Sequence, residues 1–250
     1  MDIIKQLFFK IWLLINPIPE PKAVFILSHM RAGSSLLEHI LSSNRQILGT
    51  GEQNRVYYKK NDLKKMELFA RRNQKSMLKL YKYIVDQILH NEQTPNKNLL
   101  INKHIKFIFL IRSPLETITS IENLGGRPYS INRTGKYNPI NYYIDRLNEL
   151  ILLSKSLPIK SQFFLTYSDL TTDTNQTLYH LGRFLELKTP LNKVYKLKRM
   201  TGKLGDRSEN IKIGKVTIIK NKLIELDQKM MEKLGKSYRN TNKYFNFIKQ

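Results

Sequence analysis

A short run of small and basic residues, "SHMRAGSS", directly follows an apolar stretch near the start of the chain. Its frame is that of a phosphate-binding loop, Ser28-x-x-x-x-Gly33-Ser34-Ser35, but serines replace the first glycine and the lysine of a nucleoside-triphosphate loop. Backbone N–H groups in a small-residue turn that opens a helix bind anions, and the helix dipole adds partial positive charge. We expect these amides, the two serine hydroxyls and the Arg31 guanidinium to bind an anion other than a magnesium triphosphate.

A second candidate anion site follows another apolar stretch, "FIFLIR" (107–112). Arg112 ends this stretch, Pro114 suits the first turn of a helix, and Ser120 lies about two turns further along. Ligands of open α/β sheets bind at the carboxyl ends of the strands, so Arg112 and Arg31 are expected to face one crevice. A guanidinium fork beside a serine hydroxyl suits a phosphate monoester.

Four segments, in this order, resemble the motifs of sulfotransferases that use 3′-phosphoadenosine 5′-phosphosulfate (PAPS). The first two resemble the 5′-phosphosulfate loop and the 3′-phosphate element, and the last two resemble the strand–Tyr-x-Asp-Leu–helix segment and the C-terminal cofactor loop. They are "MRAGSSLLEHIL", "LIRSPLETITSI", "FFLTYSDLTTDTNQTLYHLGRFLEL" and "GDRSENIKIGKV". The resemblance covers residues 23–218 and is greatest to bacterial and cyanobacterial-type members, with a more distant similarity to tyrosylprotein sulfotransferases.

The resemblance implies an α/β fold of the P-loop NTPase-like kind, with three layers and a central parallel sheet flanked by helices. It also implies transfer of a sulfuryl group from PAPS to an acceptor hydroxyl without a metal. The residues that it assigns to the cofactor are Arg31, Ala32, Gly33, Ser34 and Ser35 for the 5′-phosphosulfate, Arg112 and Ser120 for the 3′-phosphate, and Tyr167, Ser208 and Lys212 for the nucleotide.

The resemblance assigns the catalytic residues less completely than the cofactor-binding residues. Glu52, in "GTGEQNR", stands where the tyrosylprotein branch carries its general base, and Arg31 would neutralise the transferring group. Related chains carry a lysine for the leaving oxygen where this chain has Gln87, in "DQILHN". The residues that could substitute for this lysine are Lys103, His104, Lys106, His90 and Arg31. A weakly active or degenerate enzyme is therefore an open alternative.

Strands that alternate with helices favour a single α/β domain over residues 21–250, preceded by an amphipathic helix in residues 1–20. The pattern predicts three strands at 23–28, 107–112 and 162–167, and helices at 62–90 and 140–156. "GGRPYSINRTGKYNP" is turn-rich and separates two of these elements.

Composition points to an anionic partner but does not name it. The chain has 250 residues, a formal net charge of +23 and no cysteine, which excludes disulfides and thiolate catalysis. The basic residues are dispersed, so we expect no nucleic-acid site. Residues 1–16 are too short and too charged to span a bilayer, which favours a cytoplasmic protein that either docks this helix on its own domain or makes peripheral membrane contact.

Two other functions stay open at this point. A nucleotide or small-molecule kinase would have a similar architecture and would require Mg²⁺. A basic protein that binds nucleic acid or a membrane surface would lose its affinity with salt, whatever nucleotide is present.

Overall fold

The computed structural model describes Ile11 and residues 22–49, 51–77, 79–123, 138–198, 201–202, 209–218 and 222–249. Apart from Ile11, the predicted helix in residues 1–20 lies outside the described residues, as do most of the turn-rich segment and Ser208. The division into an N-terminal helix and one domain therefore stays a prediction.

Five parallel strands form the central sheet in the order β2-β3-β1-β4-β5. Their bounds are β1 (Ala23–Ser28), β2 (Ile47–Gly49), β3 (Tyr83–Ile88), β4 (Ile105–Ile111) and β5 (Gln162–Thr166). β1 and β3 are buried along their whole length. Both strands are therefore covered on both faces, as expected for a parallel sheet inside a three-layer α/β fold.

Helices connect the strands and cover the sheet. Their bounds are α1 (Ser34–Ser43), α2 (Lys60–Asn73), α3 (Lys97–Leu100), α4 (Pro114–Glu122), α5 (Pro139–Ser156), α6 (Tyr167–Thr172), α7 (Thr174–Phe184) and α8 (Gln228–Lys249). Pro114 occupies the first turn of α4, as predicted. Within the described part of the chain, none of the helices has both the length and the apolar composition that a membrane span requires.

The two faces of the sheet have separate apolar cores. Alternate side chains of β1, such as Phe25 and Leu27, pack with α2, α5 and α8 on one face. The intervening side chains, such as Val24 and Ile26, pack with α1, α6 and α7 on the other face. Because side chains alternate along a strand, neighbouring residues at a strand end serve different faces.

The largest error of the sequence prediction lies in residues 62–90. The helix there, α2, ends at Asn73, and Tyr83–Ile88 is strand β3. The apolar run "YIVDQIL" fits both a helix and a buried strand, because a strand that is buried on both faces does not alternate between apolar and polar residues. The short strand β2 and the long helix α8 were also not predicted.

Candidate active site

The turn between β1 and α1 has the backbone of an anion-binding loop. Arg31 and Gly33 have φ angles of 61° and 96°, in the left-handed region, and Gly33 is the N-cap residue of α1. Gly33 has no side chain with which to cap the helix, so the first turn of α1 is not covered by its own N-cap. The Ala32 side chain is fully buried in the core, which leaves only its backbone for ligand binding. This turn opens at the carboxyl end of β1, the edge at which α/β folds bind ligands.

The structure brings Arg31 and Ser120 into direct contact. The Arg31 Nε donates a hydrogen bond to the Ser120 Oγ over 2.9 Å, although 89 residues separate them in the chain. Ser120 lies on α4, which follows β4, and β4 is paired with β1. The loop after β1 and the helix after β4 therefore share one site, as their positions after neighbouring strands predict.

Arg112 and Tyr167 complete the same cluster. An Arg112 Nη1 donates to the backbone oxygen of Arg31 at 3.2 Å, and its guanidinium carbon lies 4.0 Å from the centre of the Tyr167 ring. The edge of this ring also lies against Gly33. The Arg112 Nε is buried without a hydrogen-bond partner among the described residues and lies 3.6 Å from the Glu116 carboxylate. A buried guanidinium with an unused donor can bind an anion.

His29 links the two strands that carry this cluster. Its Nε2 accepts a hydrogen bond from the Arg112 N–H at 3.1 Å, and its Nδ1 therefore carries the hydrogen donated to the Met30 oxygen at 2.9 Å. Burial, with a smaller contribution from the Arg146 and Arg112 charges, lowers the pKa of His29 to about 4, so the ring is neutral. This geometry makes His29 a fixed spacer between β1 and β4 rather than a proton acceptor.

Side chains of helix α5 bind the chain at the carboxyl ends of three strands, β1, β3 and β4. Arg146 is fully buried and donates to the backbone oxygens of Ser28 and Ile88, at 2.9 and 2.7 Å, and to the side chain of Asn91 at 2.9 Å. Tyr143 donates to the Arg112 oxygen at 2.7 Å. Tyr142 accepts from the Met30 N–H and donates to the Leu89 oxygen, each at 2.8 Å.

These contacts define the role of two tyrosines on α5. Tyr142 and Tyr143 are 8% and 0% exposed, so they belong to the buried face of the helix and position the loop. Polar residues at i, i+1 and i+4 on the apolar face of a helix were the sequence signal for this arrangement.

Glu52 lies in the segment that follows β2, at the same edge of the sheet. Burial raises the pKa of its carboxyl to about 7. A carboxyl with a pKa near neutrality suits a general base, because it is both partly ionised and basic enough to accept a proton. Asp86, near the end of β3, is fully buried, and burial together with the nearby Glu52 carboxylate raises its pKa to about 7 as well.

Gln87 lies beside Asp86 but serves the opposite face of the sheet. Val85, two residues earlier, packs in the core that contains α1, so the Gln87 side chain is on the α1 side of β3. Gln87 is 1% exposed, and neither polar atom of its amide has a hydrogen-bond partner among the described residues. A buried amide without partners is costly unless a ligand or a water satisfies it.

Lys103, His104 and Lys106 do not lie at the carboxyl edge of the sheet. Lys103 and His104 precede β4 and Lys106 is its second residue, whereas Arg112 follows the same strand. A seven-residue strand spans roughly 20 Å, so the prediction that Lys103 assists catalysis receives no support from its placement. His90 does lie at the carboxyl edge, just after β3, and burial lowers its pKa to about 4.

Two residues that precede the segment of Lys212 in the chain, Lys198 and Thr201, contact α1. His39 pairs through Nε2 with the Thr201 Oγ1 at 2.8 Å, and Lys198 lies 3.8 Å from the buried Glu38 carboxylate. Lys212 itself is half exposed and pairs with Glu209 at 2.6 Å. Its role toward a nucleotide, like that of Ser208, stays a prediction.

The fold matches that of known sulfotransferases. The sulfotransferase domain of the curacin biosynthetic pathway superposes with a TM-score of 0.56 and 17% identity over 86% of this chain and 97% of that one. The sulfotransferase domain of the Synechococcus PCC 7002 olefin synthase gives 0.53 and 16% over 88% and 95%, and the Alicyclobacillus acidocaldarius sulfotransferase gives 0.53 and 10% over 92% and 96%. Neither the family models nor the curated proteins include a match to this sequence. At these identities the similarity establishes the sulfotransferase fold, the P-loop-like parallel sheet with helices on both sides.

Proposed function

We propose that this protein is a PAPS-dependent sulfotransferase that acts on an acceptor hydroxyl. The observation that carries the proposal is the contact between Arg31 and Ser120, with Arg112 and Tyr167 packed against the same loop. One guanidinium, one hydroxyl and a second guanidinium, whose buried Nε has no hydrogen-bond partner within the described part of the chain, converge where two strands end. This set suits a nucleotide that carries separate anionic groups, and the sulfotransferase fold supports the same conclusion.

The residues present fit PAPS. The loop amides with the Ser34 and Ser35 hydroxyls would hold its 5′-phosphosulfate, Arg112 and Ser120 its 3′-phosphate, and Tyr167 would contact the nucleotide. When bound, PAPS supplies an activated sulfuryl group. Two charged arginines and a helix N-terminus replace the lysine of a triphosphate loop.

Glu52 would accept the proton of the acceptor hydroxyl. As the acceptor oxygen bonds to sulfur, the bond between sulfur and the bridging phosphate oxygen breaks, and adenosine 3′,5′-bisphosphate leaves. Because the pKa of Glu52 is raised to about 7, activity should rise with pH through neutrality as this carboxyl ionises.

Calorimetric titration with adenosine 3′,5′-bisphosphate, without Mg²⁺, tests the proposal, with 5′-AMP and ATP as comparison ligands. Replacing Arg112 by alanine should weaken binding of the bisphosphate by about 10- to 100-fold, because a hydrogen-bonded charge is lost, and binding of 5′-AMP by much less. The matched control is Arg183→Ala. Arg183 is an exposed arginine on α7 beside Phe184, and the Phe184 ring contacts Lys106 at the amino edge of the sheet, away from the candidate site.

Equal losses for the bisphosphate and 5′-AMP would overturn the 3′-phosphate assignment. Binding of ATP that requires Mg²⁺ would instead favour a kinase. Binding that disappears with salt irrespective of nucleotide would favour a basic surface binder.

A PAPS-binding protein with impaired transfer is a second candidate, and Gln87 favours it. This buried amide, which has no hydrogen-bond partner among the described residues, stands where the resemblance expects a lysine, and it offers only a neutral donor to the leaving oxygen. Loss of one such electrostatic donor costs on the order of 10²–10³ in rate. Tight bisphosphate binding combined with no sulfuryl transfer to any hydroxyl acceptor is the result that identifies this candidate.

A further inference from the structure

Asp86 joins β3 to the segment that carries Glu52. Its Oδ1 accepts hydrogen bonds from the backbone N–H of Gln53 at 3.2 Å and from that of Gln87 at 2.8 Å. Its Oδ2 accepts a short hydrogen bond from the Tyr57 hydroxyl. Both carboxylate oxygens are thus used, and Asp86 has no exposed surface.

The two tethered residues outside β3 both lie on the carboxyl side of Glu52. Gln53 directly follows Glu52, and Tyr57 comes five residues after Glu52. Tyr57 is fully buried, with its ring centre 5.0 Å from that of Phe25 on β1, so it anchors the segment in the core. The Asp86 carboxylate therefore fixes the backbone immediately next to Glu52 to the sheet.

This segment needs such anchors because its backbone is irregular. Gly51 and Asn54 have φ angles of 92° and 51°, so the chain bends on both sides of Glu52. The Asn54 Oδ1 accepts a hydrogen bond from the Gln93 Nε2 at 3.0 Å, which adds a second link to the region after β3. Without regular secondary structure, the position of Glu52 depends on these side-chain links.

Building on the proposed function, we infer that Asp86 is a positioning residue for the general base: it holds the Gln53–Tyr57 segment so that the Glu52 carboxylate stays at the carboxyl edge of the sheet. The sulfuryl-transfer step itself is unchanged, and Asp86 does not touch the reacting atoms.

The charges around Asp86 give the inference a second, separable consequence. Burial raises the pKa of Glu52 to about 7, and burial together with the Glu52 carboxylate raises that of Asp86 to about 7. The titratable groups that face Asp86 are Tyr57 and Glu52, and Arg55 and Asp62 act on Tyr57. Two carboxylates that repel each other each favour the protonated form of the other. Removing the Asp86 charge should therefore lower the pKa of Glu52.

The substitution Asp86→Asn keeps the shape and an Oδ1 acceptor but removes the charge and weakens the link to Tyr57. We expect the Glu52 pKa, followed by carbon-13 NMR of the labelled carboxyl, to fall by about one pH unit. Amide hydrogen exchange in residues 51–57 should become faster. In turnover assays, kcat should fall and the acid limb of kcat/KM should move to lower pH by the same amount, while the affinity for adenosine 3′,5′-bisphosphate stays within about twofold.

The matched control is Asp62→Asn, a carboxylate-to-amide change on α2. Asp62 accepts from the N–H groups of Tyr58 and Lys59 and caps that helix, so its loss should lower stability without moving the Glu52 pKa. A Glu52 pKa and an acid limb that stay in place in Asp86→Asn would overturn the inference, even if activity falls, because a merely structural role predicts that result.

The NMR and exchange measurements need neither donor nor acceptor, so they keep the test separate from the proposed function. If the wild-type protein binds no bisphosphate, the proposed function fails. The pKa shift and the faster exchange would still show whether Asp86 positions Glu52.

Discussion

Gly33 is the residue on which the loop geometry depends most directly. Its φ of 96° is unfavourable for any residue with a Cβ, and a Cβ at this position would lie 2.6 Å from the Tyr167 Cδ2. The Tyr167 ring lies in turn against Arg112. A change at Gly33 therefore disturbs the backbone turn and the ring that supports Arg112 together.

Gly33→Ala should lower the free energy of unfolding by about 1–3 kcal/mol and weaken bisphosphate binding. Gly182→Ala is the matched control, since Gly182 lies within helix α7 and a Cβ there has no neighbour within 4 Å. It should be neutral or stabilise the protein by up to about 1 kcal/mol. Thermal unfolding and calorimetry measure both effects. A Gly33→Ala protein with unchanged stability and affinity would contradict the loop geometry.

Helix α5 positions the residues of the candidate site, although in the proposed function it does not contact the ligand. Through Arg146, Tyr142 and Tyr143 it reaches the carboxyl ends of β1, β3 and β4. Burial lowers the pKa of Arg146 to about 10, so it remains charged at neutral pH. A buried cation bonded to backbone oxygens at this edge also adds positive potential beneath the anion loop.

Arg146→Met should cost about 3 kcal/mol of stability, because the stem is replaced but two buried backbone oxygens and the Asn91 side chain lose their donor. It should also weaken bisphosphate binding, since Ser28 and Ile88 are no longer held together. Arg239→Met on α8, an exposed arginine, should change neither quantity by more than about 0.5 kcal/mol. Urea unfolding of both variants, followed by ligand titration, makes the comparison. Equal behaviour of the two variants would mean that α5 does not organise this edge.

For the whole molecule, the buried titratable groups at the carboxyl edge of the sheet make stability depend on pH in opposite directions. Glu52 and Asp86 have pKa values raised to about 7, so the stability that they contribute is present below pH 4 and is lost as pH rises through 7. His29 and His90 have pKa values lowered to about 4, so their contribution is present above pH 6.5 and is lost as pH falls through 4. Between pH 4.5 and 6.5 the two pairs largely cancel.

We therefore expect the wild-type free energy of unfolding to change little between pH 4.5 and 6.5. In Asp86→Asn one carboxyl no longer contributes, so stability should rise with pH over this range by about 1.4 kcal/mol per unit. His90→Asn should give the opposite slope, because a histidine is lost instead. Urea unfolding at several pH values measures the slopes, and parallel curves for wild type and Asp86→Asn would rule out the raised pKa of Asp86.

Much of the candidate site was visible in the sequence because its parts are local. The turn from "FILS" into "GSSLLEHIL" and the step from "FIFLIR" into Pro114 each combine an apolar strand with a helix start, and such signals lie within a few residues of one another. The parallel sheet and its coverage on both faces were predicted for the same reason. Arg31, Arg112 and Ser120 were thereby assigned to one crevice, and the resemblance to PAPS-dependent sulfotransferases added Tyr167.

Only the tertiary structure decided which strands are neighbours and which face each side chain serves. Residues 83–88 were predicted as helix, and their true state, strand β3 beside β1, places Asp86 with Tyr57 and Gln87 on the α1 side. Likewise, the chain direction of β4 puts Lys103 at the far edge of the sheet from Arg112. Local sequence determines the turns and the strands themselves. Which strands pair, and which face of the sheet each side chain covers, depend on contacts between segments that are distant in the chain. No single stretch of this sequence contains that information.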